Sequence, residues 1–140
     1  MLRYTSEQEK VIRIEGEKAF PNECCGFLIG EIDKEGVKTV KHVQAIVNSS
    51  EGGEQHHRFL ITPEDMMSAE QTARKMKLDV VGFYHSHPDC EAAPSKYDKD
   101  HALPFYSYII VSVKQGKSDE MTSWELTPDR AEFLREERKA

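Results

Sequence analysis

Apolar and polar positions change period along the chain, and each change marks an element. Ser6 with Glu9 three residues on forms a capping-box signature. Ile12, Ala19 and Phe20 recur behind it, so a first helix is predicted from about Ser6 to Phe20 despite Gly16. Cys25–Ile32 reads as a strand, Asp33-Lys34-Glu35-Gly36 as a turn, and the alternation from Val37 to Val47 as the hairpin partner. A polar loop over Asn48–Gln55 leads to a short strand, Arg58–Ile61. Thr62-Pro63 supplies an N-cap and a first helical residue, and Met66, Ala69, Ala73 and Met76 follow at helical spacing to about Lys77. Both methionines read as flexible core packing rather than as a ligand stripe.

Asp79–Ser86 is a buried-strand pattern running into His85-Ser86-His87-Pro88, where proline is expected to end regular pairing. Ser95 caps a short helix to about Leu103, and Phe105–Val113 and Met121–Leu126 read as strands. Thr127-Pro128 repeats the cap-plus-proline signal and predicts a charged C-terminal helix.

Length and charge narrow the classes. At 140 residues and 16.1 kDa the chain fits one domain over residues 1–140, and 38% hydrophobic residues is lean but sufficient for one core. Asp and Glu number 25 against 19 Lys and Arg, giving a net charge of -6. With no basic tract, a nucleic-acid or anionic-membrane binder is excluded, because both need clustered cations. The longest apolar run, Tyr108-Ile109-Ile110-Val111, is far short of the ~20 residues that span a bilayer, and the N-terminus turns polar before a signal-peptide core can form. A cytoplasmic location is expected. Cys24, Cys25 and Cys90 are an odd set containing an adjacent pair, which reads as reduced thiols rather than a disulfide framework.

The chemistry concentrates between His85 and Asp98. In an extended segment residues two apart share a face and lie roughly 6.5 Å apart, so His85 and His87 can converge on one ion. A turn through Pro88 and Pro94 lets Asp98 add a carboxylate. Two histidines and one carboxylate leave a fourth zinc position open, as a catalytic site needs for an activated water. His56-His57 serves as a control: adjacent strand residues face opposite sides and cannot chelate one ion, so the pair belongs to a loop-to-strand junction. His42 and His101 have no ligand-like spacing and are left unassigned.

The spacing His-Ser-His-Pro, six residues, Ser, two residues, Asp, with Glu23 upstream in Pro21-Asn22-Glu23-Cys24-Cys25-Gly26-Phe27-Leu28-Ile29-Gly30, resembles the JAMM motif of MPN-domain metalloproteases. The likeness extends to Arg58–Pro63 and to Tyr108–Val113. It implies an α/β fold: one MPN domain, related to the cytidine deaminases, with a mixed, curved sheet, the first and C-terminal helices on one side and the Pro63–Lys77 helix on another. It implies that His85, His87 and Asp98 hold one catalytic Zn2+, and that Glu23, outside the ligand set, is general base and acid. Ser95 would donate to the tetrahedral oxyanion, alone or together with its capping role. Ser86, facing away from its flanking histidines, is a supporting residue.

The implied reaction is hydrolysis of an amide or isopeptide bond after the C-terminal glycine of a ubiquitin-like partner, in short prokaryotic members a sulfur-carrier protein with a Gly-Gly tail. Such a tail would bind by adding a strand to a sheet edge, and an apolar edge would also allow a homodimer. The alternatives are an isopeptidase acting on lysine conjugates and, from another class, a non-catalytic MPN scaffold. A nucleobase deaminase lacks its Cys-x-x-Cys ligands here, and a Cys/His thiol protease has no local signature.

Overall fold

The computed structural model describes residues 1–46 and 61–140. The predicted loop Asn48–Gln55, His56-His57 and the strand residues Arg58–Leu60 lie outside them. The elements are β1 (Leu2–Arg3), α1 (Ser6–Ala19), β2 (Cys25–Ile32), β3 (Lys38–Ile46), α2 (Pro63–Lys75), β4 (Asp79–Pro88), α3 (Lys96–His101), β5 (Ser107–Lys114), β6 (Lys117–Leu126), β7 (Phe133–Glu136) and β8 (Arg138–Lys139).

One mixed sheet runs in the order β7-β6-β5-β4-β2-β3-β1-β8. β4 sits between antiparallel β2 and parallel β5, α3 lying on the crossover from β4 to β5. β7 and β8 stand at opposite ends of that order yet are separated only by Glu137, so the sheet curls until its edges meet. Leu2 N–H donates to the Glu137 carbonyl and Tyr4 N–H to that of Lys139.

The C-terminal helix expected after Thr127-Pro128 is therefore corrected to strand. Asp129 explains the change. Its Oδ1 accepts from the Thr127 hydroxyl at 2.6 Å and from Ala131 N–H at 3.0 Å, and Arg130 turns into positive φ (63°). This side-chain turn competes with helix initiation, and the returning segment pairs with the outer edge of β6.

Strand alternation sorts the core onto the two faces of the sheet. Leu28, Tyr84, Ile109, Val111 and Met121 pack with Ile12 of α1 on one face. Phe27, Phe83 and Tyr108 pack with Ala69 of α2 on the other. Gly16, unfavourable in a helix, lets α1 approach the sheet: a Cβ there would meet Val113 at 3.0 Å and Ser86 at 3.4 Å. The α1 cap is Thr5 with Gln8, one residue before the expected Ser6–Glu9 pair, and Thr62 caps α2 as predicted. Ala69 and Ala73 are buried as the spacing predicts, whereas Met76 is exposed and Met66 only partly covered. Among the described residues no helix is long and apolar enough to cross a membrane.

Candidate metal centre

β4 continues through both histidines to Pro88, paired in parallel with β5 up to Val113. Pro88 is its last residue, where a missing N–H costs no internal ladder bond, so pairing ends two residues later than expected. The alternation that puts Phe83 on the α2 face puts His85 and His87 there too, both buried. Ser86 faces α1, where its Oγ accepts from Cys24 N–H at 2.8 Å and its own N–H donates to the Cys24 carbonyl. These bonds, with the Cys25–His85 pairing, tie the segment entering β2 to β4 and bring buried Glu23 beside the histidines. One oxygen of Glu23 and one ring nitrogen from each histidine lie within 4.8 Å of one another.

Asp98 arrives from α3. It is the third residue of a capping box in which Ser95 Oγ accepts from Asp98 N–H at 3.1 Å, and Asp98 Oδ2 accepts from Ser95 N–H at 2.8 Å. The same Oδ2 stands 3.1 Å from His87 Nε2 and 3.3 Å from His85 Nε2, and the two Nε2 atoms are 3.1 Å apart. Bonds of ~2.0–2.1 Å to a tetrahedral ion require ligand atoms about 3.3 Å from each other. The three atoms therefore have the spacing of one face of a zinc tetrahedron.

The chemistry of the set agrees with that spacing. His87 Nδ1 donates to the Glu91 carbonyl at 2.9 Å, which in the neutral ring leaves the Nε2 lone pair directed at the Asp98 carboxylate. An acceptor facing an acceptor is stabilised by a cation between them. Burial lowers the His85 pKa and favours the neutral, ligating ring. Burial works against the Asp98 carboxylate, but a proton carried by the facing imidazoles, His85 first and then His87, together with the Ser95 backbone N–H, outweighs it and holds the pKa below the usual range, and a metal cation would take that proton's place. Burial, and secondarily the Asp98 charge, pushes Glu23 up to about 9.

Sequence reasoning had not found the Glu91 carbonyl or its supports. Ser112 Oγ donates to the Cys90 carbonyl at 2.5 Å and Thr122 Oγ1 to the Ala92 carbonyl at 2.6 Å, fixing the chain on both sides of Glu91. His101, left unassigned for want of ligand spacing, stacks on Tyr97 with ring centroids 4.1 Å apart and lines a cavity with His85 and Asp98. Its only sequence signal is its place one helical turn after Asp98. Thiol catalysis is opposed: burial pushes Cys24 up to about 12 and raises Cys25 as well. All three cysteines are free thiols.

Two recesses adjoin the ligand residues. A cavity of about 270 Å³, with Phe83, Tyr108, Met66 and Leu103 in its wall, adjoins His85 and Asp98. A cleft is lined by Glu23, His87, Glu91 and Ser95, with Pro88 and Ala93.

Comparison with known proteins gives a consistent set. The model of the family "Prokaryotic homologs of the JAB domain" matches residues 5–127. Desampylase of Haloferax volcanii is 34% identical over 110 residues, covering 78% of this chain and 73% of that protein. The Lys-63-specific deubiquitinase BRCC36 of Xenopus tropicalis is 33% identical over 84 residues, 54% of this chain and 30% of that longer protein. The solution structure of a Salinibacter ruber protein superposes with a TM-score of 0.76 at 38% identity, covering 97% of this chain and 89% of that one.

Proposed function

Since the chain belongs to the family of prokaryotic JAB-domain homologs, we propose that it is a zinc-dependent hydrolase that cleaves the amide or isopeptide bond after the C-terminal glycine of a small ubiquitin-like protein. The observation that carries this reading is the convergence of His85 Nε2, His87 Nε2 and Asp98 Oδ2 at 3.1–3.3 Å, with the Glu23 carboxyl beside them. JAMM-type hydrolysis is supported by the relatives, one a desampylase and one a deubiquitinase. Residues 1–140 act as one MPN domain in this reading, and a cytoplasmic location suits the three free thiols.

His85, His87 and Asp98 would hold the ion, which when bound supplies Lewis acidity and lowers the pKa of a coordinated water. Glu23 takes the proton of the attacking water on its carboxylate and delivers it to the departing nitrogen. Burial makes the Glu23 carboxylate a stronger base than one in water, and the positive charge of an ion held beside it would keep it ionised near neutral pH. Ser95 Oγ accepts the Asp98 N–H, and the hydroxyl still has its own proton to give to the oxyanion of the tetrahedral carbon. A Gly-Gly tail, binding as an added strand, places least bulk near the ion.

The test is hydrolysis of two substrates built on one ubiquitin-like protein, a linear extension beyond Gly-Gly and a lysine-linked conjugate, before and after chelation. The reading requires chelator-sensitive cleavage of at least one, restored by zinc. Cleavage that survives chelation, or none with zinc bound, overturns it.

A further inference from the structure

Glu23, His87 and Ser95, the groups assigned to proton transfer, metal ligation and the oxyanion, share one cleft of about 340 Å³. Glu23 hands its proton to the departing nitrogen, and a general acid works within about 3 Å of the atom it serves. The departing nitrogen, with the first atoms of the group it carries away, therefore lies in this cleft. Glu91 also lines it, and the mechanism leaves its side chain unused. Its backbone carbonyl aims His87, but its carboxylate is exposed and has no hydrogen-bond or ion-pair partner among the described residues.

The balance of charge gives that carboxylate a role. A divalent ion held by His85, His87 and Asp98 is neutralised by Asp98 together with an ionised Glu23, and no Lys or Arg lines the cleft. Glu91 then leaves the cleft with a net negative charge. A single amino acid cut from a tail departs with a free α-carboxylate on the carbon next to the departing nitrogen, so that charge meets Glu91 in the same space. An amide that continues beyond this point carries no such charge, and a cationic side chain on the departing group gains attraction. Water reaches the exposed Glu91 carboxylate and screens it, so its share of the discrimination is about three- to fivefold rather than the far larger factor of a dry site.

We propose that Glu91 is a specificity-determining residue for the leaving group: its carboxylate favours a departing amine that carries positive charge and disfavours one with a free carboxylate beside the scissile nitrogen. The proposal rests on the hydrolytic reading above. It adds that release of a single free amino acid is the disfavoured reaction, and release of an amine with no carboxylate beside it the favoured one.

The experiment uses one ubiquitin-like protein extended beyond Gly-Gly by alanine with a free carboxylate, by alanine amide or by lysine amide. For the zinc-loaded native protein, Glu91→Gln and Glu91→Lys, kcat/KM is read at low and high salt. Binding of the same three substrates to zinc-loaded Glu23→Gln, with and without Glu91→Gln, is read by fluorescence anisotropy. The native protein should prefer lysine amide to alanine amide, and alanine amide to the free acid, with Glu91 supplying about three- to fivefold of each preference. Glu91→Gln should lose that share, and Glu91→Lys should push both ratios further the same way. High salt should move the native ratios toward those of Glu91→Gln, a check that holds even where a variant fails to fold. Ratios that are equal in the native protein and both variants overturn the proposal, as do native ratios indifferent to salt. A binding preference that weakens with Glu91→Gln, without any cleavage by the native protein, supports the role of Glu91 and overturns the hydrolytic reading instead.

Discussion

His87 and Glu91 form the bond that aims the candidate metal centre: the imidazole Nδ1–H donates to the Glu91 carbonyl oxygen at 2.9 Å, and Nε2 is thereby turned toward Asp98. Backbone carbonyls do this for many ligating histidines, and losing the support weakens metal affinity by about 10–100-fold. Ser112 holds that carbonyl's neighbourhood through Cys90. Ser112→Ala should weaken zinc affinity within that range while costing only about 1 kcal/mol of stability. Competition against a chromophoric chelator measures the first and denaturant unfolding the second. Unchanged affinity would show that the segment needs no such anchor.

Ser95 carries two separable jobs. Ser95→Ala should lose about 1 kcal/mol through the missing cap, and about 10²-fold in kcat if the hydroxyl stabilises the oxyanion. Ser95→Asn restores a capping oxygen but no hydroxyl, so it should recover stability without recovering turnover. Recovery of both would leave Ser95 a capping residue alone.

Gly82 sets how closely β4 approaches β5. A Cβ at this position would stand 2.3 Å from the Ser107 carbonyl oxygen, and backbone cannot swing away as a side chain can. Gly82→Ala should destabilise the protein by ~1–3 kcal/mol and loosen zinc binding, because the same strand carries both histidines. A native melting temperature in this variant would show that the strands can separate without penalty.

Away from the centre, burial raises the pKa of Glu136 despite hydrogen bonds from Ser107 and Ser123 and the nearby Lys38 charge. A carboxyl whose folded pKa is raised contributes fully below its unfolded value, near 4.5, and the contribution is lost as pH rises through the folded pKa. The native protein should therefore lose stability relative to Glu136→Gln as the pH rises above 4.5. Melting temperatures of both proteins across that range give the comparison, and a constant difference contradicts it.

Much of the centre was legible because its parts follow local rules. The two-residue period carries His85 and His87 to one face, and the Ser95 cap fixes where Asp98 falls on its helix turn. What escaped depends on contacts made across the fold. Thr127-Pro128 carries the helix-start signal that works at Thr62-Pro63, but Asp129 and an open β6 edge convert it to a turn and strand. The Glu91 carbonyl has no side-chain signature, and the cavity beside Asp98 exists only once β4, β5, α2 and the segment after α3 meet. Met66, read as core filling, is only partly covered and lies in that cavity's wall.

In the proposed reaction Glu23 moves the proton and does not serve as a fourth ligand at a zinc centre built from His85, His87 and Asp98. Intact mass spectrometry tests it directly: a ubiquitin-like protein extended beyond Gly-Gly is incubated with the zinc-loaded native protein and with zinc-loaded Glu23→Gln, zinc content being measured on both. One zinc per chain is expected in each, with loss of the extension by the native protein and a rate at least about 10²-fold lower with the variant. Equal cleavage by the two, or loss of zinc from Glu23→Gln, would contradict it.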